Sequence, residues 1–98
     1  MIKVHATGKY QIIARKTGKV LFDQLPVDFV YEVKDPFFAE TPPDSIVRKV
    51  MAEVDLRILL VADFHKRLRD RATYLKVGGT QWCIELGAIN FEYQNSDN

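Results

Sequence analysis

The chain has 98 residues, of which 47% are hydrophobic and 28% charged, and its formal net charge is +1. This length suits a single domain, and such a composition excludes wholesale disorder. Because its charges balance, the chain as a whole is not a polyelectrolyte binder. The single cysteine excludes an internal disulfide and a zinc site built on thiolates.

The N-terminal third of the chain predicts three strands. Residues 2–15 and 20–22 are rich in β-prone residues, and the short break between them contains Gly18, which adopts left-handed turn conformations easily. This pattern is typical of a hairpin. Pro26 is expected to end the second strand, because proline cannot donate a sheet hydrogen bond. Residues 27–33 place apolar side chains at every second position, which is typical of a half-buried third strand.

Residues 41–72 predict one long amphipathic helix. Thr41 can cap its start, Pro42 suits the first turn, and Asp44 favours the positive end of the helix dipole. We expect the helix to end near Arg71, where a β-prone run follows. Nine apolar residues fall on one face and are expected to pack on the sheet: Ile46, Val47, Val50, Met51, Val54, Ile58, Val61, Phe64 and Leu68.

The C-terminal part predicts a second hairpin. Its two β-prone runs cover residues 73–77 and 81–86 and are separated by Gly78-Gly79. Beyond Gly87 the apolar positions change parity, so a β-bulge is predicted there. The apolar residues on the two sides of this bulge are Trp82, Ile84 and Leu86, then Ile89, Phe91 and Tyr93.

The order of elements, β-β-β-α-β-β, predicts an α+β domain over residues 1–93. We expect a mostly antiparallel sheet of about five strands with one long helix packed across one face. Residues 94–98 are polar and terminal, so they are expected to form a flexible tail.

The first candidate site is a second apolar face on the long helix. Leu56, Leu59 and Leu60 lie far from the centre of the nine-residue stripe, so on an uncovered helix they would project outward. Such patches often mark protein–protein contact, and one helix face can pair with itself. We therefore expect a homodimer, another protein being the alternative partner. The competing interpretation is that the loop over residues 35–40, with its two phenylalanines, covers the three leucines.

The second candidate site is a basic cluster at the expected end of the helix. It consists of Lys66, Arg67, Arg69 and Arg71. Such a cluster can bind nucleic-acid phosphates. Cations at a helix C-terminus also complement the helix dipole without any ligand, and the neighbouring Asp63 and Asp70 reduce the local positive field.

The sequence contains no catalytic or cofactor motif. His5 and His65 have no spacing typical of a metal site, and no neighbouring cation activates Cys83 as a nucleophile. Gly78-Gly79 precedes a predicted strand, whereas phosphate loops precede a helix. We expect no catalytic residue, no metal site and no cofactor.

These patterns predict a small non-enzymatic protein-binding protein, of the regulator, inhibitor or adaptor type that phages and mobile elements also encode. It would act through the apolar helix face and self-associate. The alternative is a nucleic-acid-binding module that uses the basic cluster. Cysteine usage favours the cytoplasm. No long apolar run follows Met1 and no apolar stretch reaches 18 residues, so neither a signal peptide nor a membrane span is predicted.

Overall fold

Three long strands and two α-helices form the protein in the computed structural model, which describes residues 2–95. The elements in chain order are β1 (Ile2–Ala14), β2 (Val20–Glu32), a 3-10 turn (Phe38–Glu40), α1 (Ile46–Arg67), α2 (Arg71–Val77) and β3 (Trp82–Asn95). Among these residues the sheet has three strands in the order β2-β1-β3, and both pairings are antiparallel. The α+β class is confirmed, whereas the expected five strands are wrong.

β1 is the central strand and pairs with its neighbours over nearly its whole length. Val4 lies opposite Tyr31 on β2 and Tyr93 on β3, and these three side chains share the face of the sheet that carries α1. The hairpin between β1 and β2 is as predicted, with Gly18 at φ 73° in its turn. The opposite face of the sheet is more polar and more exposed, as is usual when an antiparallel sheet is covered on one side.

Two predicted strands merge into β2 because Pro26 does not end it. Pro26 lies opposite Lys9 within the ladder, and β2 is at the edge of the sheet. An edge position tolerates proline because an edge strand has backbone groups that need no partner within the sheet. The strand predicted for residues 27–33 is therefore the second half of β2.

The run predicted as a strand over residues 73–77 is instead the helix α2. The Asp70 side chain caps it by accepting a hydrogen bond from the Thr73 backbone N–H, and Gly78 ends it in the left-handed conformation at φ 59°. These two caps stabilise a short helix in a segment whose β-branched and aromatic residues favour a strand. The second hairpin is thus wrong, and the chain enters β3 from a helix.

The bulge predicted at Gly87 is confirmed. Gly8 pairs with Ile89 and Tyr10 pairs with Leu86, so β3 holds one more residue than β1 between these pairs. A Cβ atom on Gly87 would lie 2.9 Å from the Lys9 carbonyl oxygen, which explains why a glycine stands at this close approach. After the bulge, the apolar side chains of β3 return to the face covered by α1.

α1 is shorter at both ends than the sequence predicts. The cap is Ser45, whose side-chain oxygen accepts a hydrogen bond from the Arg48 backbone N–H, so the expected cap at Thr41 is wrong. α1 ends at Arg67, and the link to α2 follows before the predicted end at Arg71.

Part of the predicted flexible tail belongs to the sheet. Gln94 pairs with Lys3, and Asn95 pairs with Ile2, at the end of the β1–β3 ladder. The remainder of the predicted tail, residues 96–98, lies outside the described residues. Within residues 2–95, no helix is long and apolar enough to cross a membrane.

Candidate functional site

The face of α1 that packs on the sheet differs from the one predicted. Its buried residues follow a spacing of four and are Arg48, Ala52, Leu56, Leu60 and Phe64. Leu56 and Leu60 are 0% exposed and belong to the main core together with Tyr10 and Ile12 of β1. The expectation that Leu56 and Leu60 project outward is therefore wrong, because the sheet of their own chain encloses both side chains.

Leu59, the third predicted interface residue, lies at the border of the packed face. It is half-buried and, with Ile58 and Tyr31, lines a cavity of about 100 Å³ between α1 and β2. The loop over residues 35–40 does not provide the predicted cover. Its Phe38 is buried in a second apolar cluster with Val4 and Ala52, and Phe37 is exposed.

Side-chain size explains the orientation of α1. Leucine and phenylalanine remove more apolar surface from water than valine does, so burying Leu56, Leu60 and Phe64 stabilises the fold more than burying the valines would. The Tyr31 hydroxyl of β2 donates a 2.7 Å hydrogen bond to the Ala52 carbonyl oxygen, so a polar contact also joins α1 to this strand.

The opposite face of α1 presents an aliphatic stripe to solvent. It consists of Val47, Val50, Val54, Ile58 and Val61, hereafter the outer stripe, which are 56%, 51%, 55%, 65% and 39% exposed. The spacings of three and four residues keep them within about 40° of the Val54 direction on a helix of 3.6 residues per turn. The stripe runs for about 21 Å along α1 at 1.5 Å per residue. A continuous apolar surface of this kind is typical of an interaction site.

The composition of the outer stripe is unusual for a solvated helix face. All five residues are β-branched. Such side chains lose χ1 freedom in a helix and are up to about 0.7 kcal/mol less favourable than alanine at each position. They also remain exposed within the described chain, so neither helix propensity nor packing inside the chain accounts for them.

A polar network fixes the rotation of α1 on the sheet. The Tyr10 hydroxyl donates a 2.8 Å hydrogen bond to Asp63, which also accepts from the Arg67 Nε at 3.2 Å. Burial, reinforced by the Asp63 carboxylate, raises the pKa of Tyr10 well above its ordinary value. Near the middle of α1, Asp55 accepts a 3.0 Å hydrogen bond from the Lys34 backbone N–H. The outer stripe is therefore presented at a defined angle.

Arg48 anchors the first turns of α1. It is 4% exposed, and its guanidinium lies over the adjacent rings of Phe38 and Tyr93, 4.9 and 5.1 Å from their centroids. One terminal nitrogen donates to the Phe38 carbonyl oxygen at 3.0 Å and contacts that of Ala39 at 3.4 Å. The two rings and the carbonyl oxygens compensate part of the burial of this cation, whose buried Nε has no hydrogen-bond partner within residues 2–95.

The predicted basic cluster is divided between different elements. Lys66 and Arg67 are in the last turn of α1, Arg69 is in the link, and Arg71 begins α2. Arg67 is half-buried and donates a hydrogen bond to Asp63, whereas the other three cations are exposed. The chain turns through this region, so the four cations do not share one helix face.

Both histidines contact side chains of the fold, and the cysteine lies in β3. His5 is on the open face of the sheet, with its Nε2 2.7 Å from Asp28, and His65 packs edge-on against Trp82 at 5.2 Å between centroids. Cys83 is a half-buried free thiol. Within residues 2–95, no three His, Cys, Asp or Glu side chains converge in a way that could hold a metal ion.

An open depression of about 510 Å³ lies over the bulged region of the sheet. Sequence reasoning missed its most unusual residue, Gln24, which has φ 57°. The polar groups there bond mainly to each other, Lys9 Nζ to Gln24 at 2.6 Å and Gln11 to Asp23 at 3.0 Å. Because these groups are satisfied within the chain, the depression is a weaker candidate site than the outer stripe.

Comparison with known proteins finds no matching family model, no matching curated protein and no matching solved structure. Two features of the chain bear on its function, namely its α+β class and the geometry of the outer stripe.

Proposed function

We propose that this protein is a non-enzymatic protein-binding protein that acts through the outer stripe of α1. The observation that carries this proposal is the row of five exposed β-branched residues on a helix whose opposite face is fully occupied by the core. The proposal retains the apolar helix face expected from the sequence but replaces Leu56, Leu59 and Leu60 as the residues that contact the partner.

The physical basis of the proposal is the removal of apolar surface from water. Each side chain of the outer stripe is roughly half exposed, so covering it contributes on the order of 1 kcal/mol. Five such side chains contribute on the order of 5 kcal/mol before the cost of association is subtracted. We therefore expect binding that depends strongly on the two or three central positions, as in other interfaces with a small apolar centre.

The chain fits the regulator, inhibitor or adaptor type, including those encoded by phages and mobile elements. Such proteins act by occupying a surface of another molecule and need no catalytic group. The free thiol of Cys83 suits a reducing compartment such as the cytoplasm.

A comparative pull-down tests the proposal. Tagged wild type and the double variant Val54→Glu/Ile58→Glu are used to capture proteins from the source cell, with Val30→Glu as the matched control. Val30 is 61% exposed and lies on β2, so Val30→Glu places one glutamate at an exposed branched aliphatic residue away from the outer stripe. Circular dichroism first establishes that all three proteins are folded.

We expect the double variant to lose proteins that both wild type and Val30→Glu capture, including untagged copies of the chain itself. Identical sets of captured proteins for all three would contradict the proposal.

Nucleic-acid binding through the basic cluster is the rival function. Three of its four cations are exposed and therefore accessible to phosphates. The fourth, Arg67, donates a hydrogen bond to Asp63. Nucleic-acid affinity measured over a range of salt concentrations, with wild type and Lys66→Glu/Arg69→Glu, distinguishes this function. Loss of two phosphate contacts lowers the affinity and makes the dependence of log K on log salt less steep. Unchanged affinity in that variant would eliminate the basic cluster as the binding site.

A further inference from the structure

We infer that the occupant of the outer stripe is a second copy of this chain, whose α1 packs antiparallel to the first with a twofold axis at Val54. This inference rests on the proposed function, since it assigns a partner to the same surface. Two features of the chain support it, the spacing of the stripe and the distribution of charge at its two ends.

The outer stripe is symmetric about its central residue. Val50 and Ile58 lie four residues before and after Val54, and Val47 and Val61 lie seven residues before and after it. A twofold axis perpendicular to α1 at Val54 therefore places Val47 against Val61 of the second copy and Val50 against its Ile58. Every residue of the stripe then meets an aliphatic residue, which is the self-complementarity that a twofold interface requires.

Spacing alone also permits a parallel pair, in which each residue meets itself, and the charges decide between the two. Residues 35–44, which precede α1, carry Asp35, Glu40 and Asp44 and no lysine or arginine, a formal charge of −3. Residues 63–71, at the other end, carry Lys66, Arg67, Arg69 and Arg71 against Asp63 and Asp70, a formal charge of +2 with His65 neutral.

An antiparallel pair places the acidic segment of one copy beside the basic segment of the other. A parallel pair places two basic segments together and two acidic segments together, which is repulsive at both ends of the stripe. The antiparallel order also places the positive end of each helix dipole beside the negative end of the other. Asp44, Lys66 and Arg69 are all exposed, so their charges are available to a second copy.

The small side chain of Val54 suits its position on the axis. Helices pack at interaxial distances of about 8–10 Å, and the Cα atoms lie about 2.3 Å from each axis. Two facing Val54 residues would thus have Cα atoms about 3.4–5.4 Å apart, and a disulfide can span the upper part of this range. Two Val47 residues in the same pair would be separated by about 21 Å along the helices, which it cannot span.

Site-specific disulfide formation tests the arrangement. Single cysteines are introduced by Val54→Cys, Val47→Cys and Val61→Cys in a Cys83→Ser background and oxidised in the purified full chain. We expect Val54→Cys to form a covalent dimer with itself and Val47→Cys to form none. A mixture of Val47→Cys and Val61→Cys should again give a covalent dimer.

Self-linkage of Val47→Cys, with no disulfide between positions 47 and 61 in the mixture, would overturn the antiparallel arrangement in favour of a parallel one. Absence of any covalent dimer would overturn the second copy as partner. If Val54→Glu/Ile58→Glu still abolished capture of other proteins in that case, the proposed function would stand while this inference failed.

Discussion

Val54 and Leu56 lie two residues apart on α1 and project to opposite sides of it. Leu56 is 0% exposed in the core, whereas Val54 is 55% exposed at the centre of the outer stripe. A separation of two residues rotates a side chain by about 200° on an α-helix, so one segment supplies both a core and an external apolar surface. This relationship is why the helix carries more apolar residues than one packed face needs.

Truncation of these two residues should have very different effects on stability. Leu56→Ala removes a fully buried side chain and is expected to lower the free energy of unfolding by about 2–5 kcal/mol. Val54→Ala replaces an exposed residue with a better helix former and is expected to change it by less than about 0.5 kcal/mol in dilute solution. Urea denaturation of both variants measures this, and similar losses would contradict the orientation of α1.

Stability should decline in alkaline solution because of Tyr10. Its folded-state pKa is raised by burial and by Asp63, whereas an unfolded tyrosine titrates near 10.0. Above that pH the unfolded state binds fewer protons than the folded state, so the unfolding free energy falls by up to about 1.4 kcal/mol per pH unit for this group. Below pH 10 this contribution is fully present.

The variant Tyr10→Phe isolates the effect, since other groups also titrate in this range. Denaturant unfolding at several values from pH 8 to pH 11 should show a shallower decline for Tyr10→Phe than for wild type. At pH 8 the variant should be less stable by about 1 kcal/mol, from the lost hydrogen bond to Asp63. Parallel curves for the two proteins would show that Tyr10 titrates normally in the folded state.

The sequence predicts the hairpin at Gly18, the bulge at Gly87 and the existence of a long helix, because each depends on local spacing or backbone freedom. It does not predict which face of that helix is buried. Both faces are apolar, and the choice depends on how well Leu56 and its neighbours fill the space above β1. The helix α2 was missed because the caps at Asp70 and Gly78 outweigh the β preference of the residues between them.

Arg48 should not be replaceable by lysine. A lysine ammonium cannot spread its charge over the two adjacent rings as a planar guanidinium does, and it cannot reproduce the same hydrogen bonds to the Phe38 and Ala39 carbonyl oxygens. We expect Arg48→Lys to lower the unfolding free energy by about 1–3 kcal/mol. Lys49→Arg, a change at the exposed neighbouring position, is the control and should be neutral in the same thermal or chemical denaturation.

The close approach of β1 and β3 should make Gly8 intolerant of any side chain. A Cβ atom there would lie 2.3 Å from the Ala88 carbonyl oxygen, and φ is 151°. Gly79 has a positive φ of 77° but no neighbour within 4 Å of a built Cβ atom. We expect Gly8→Ala to cost at least about 2 kcal/mol more than Gly79→Ala, whose cost of about 1–2 kcal/mol reflects backbone strain alone. Equal costs would show that the two strands separate easily at this point.

The most direct test of the account is sedimentation of the purified full chain over a range of concentrations up to high micromolar, with Val54→Glu and Val30→Glu beside wild type. We predict that the mass of wild type and of Val30→Glu rises from 11.3 kDa toward twice that value, whereas Val54→Glu stays at the monomer mass. A wild-type chain that remains monomeric across the whole range would contradict self-association through the outer stripe.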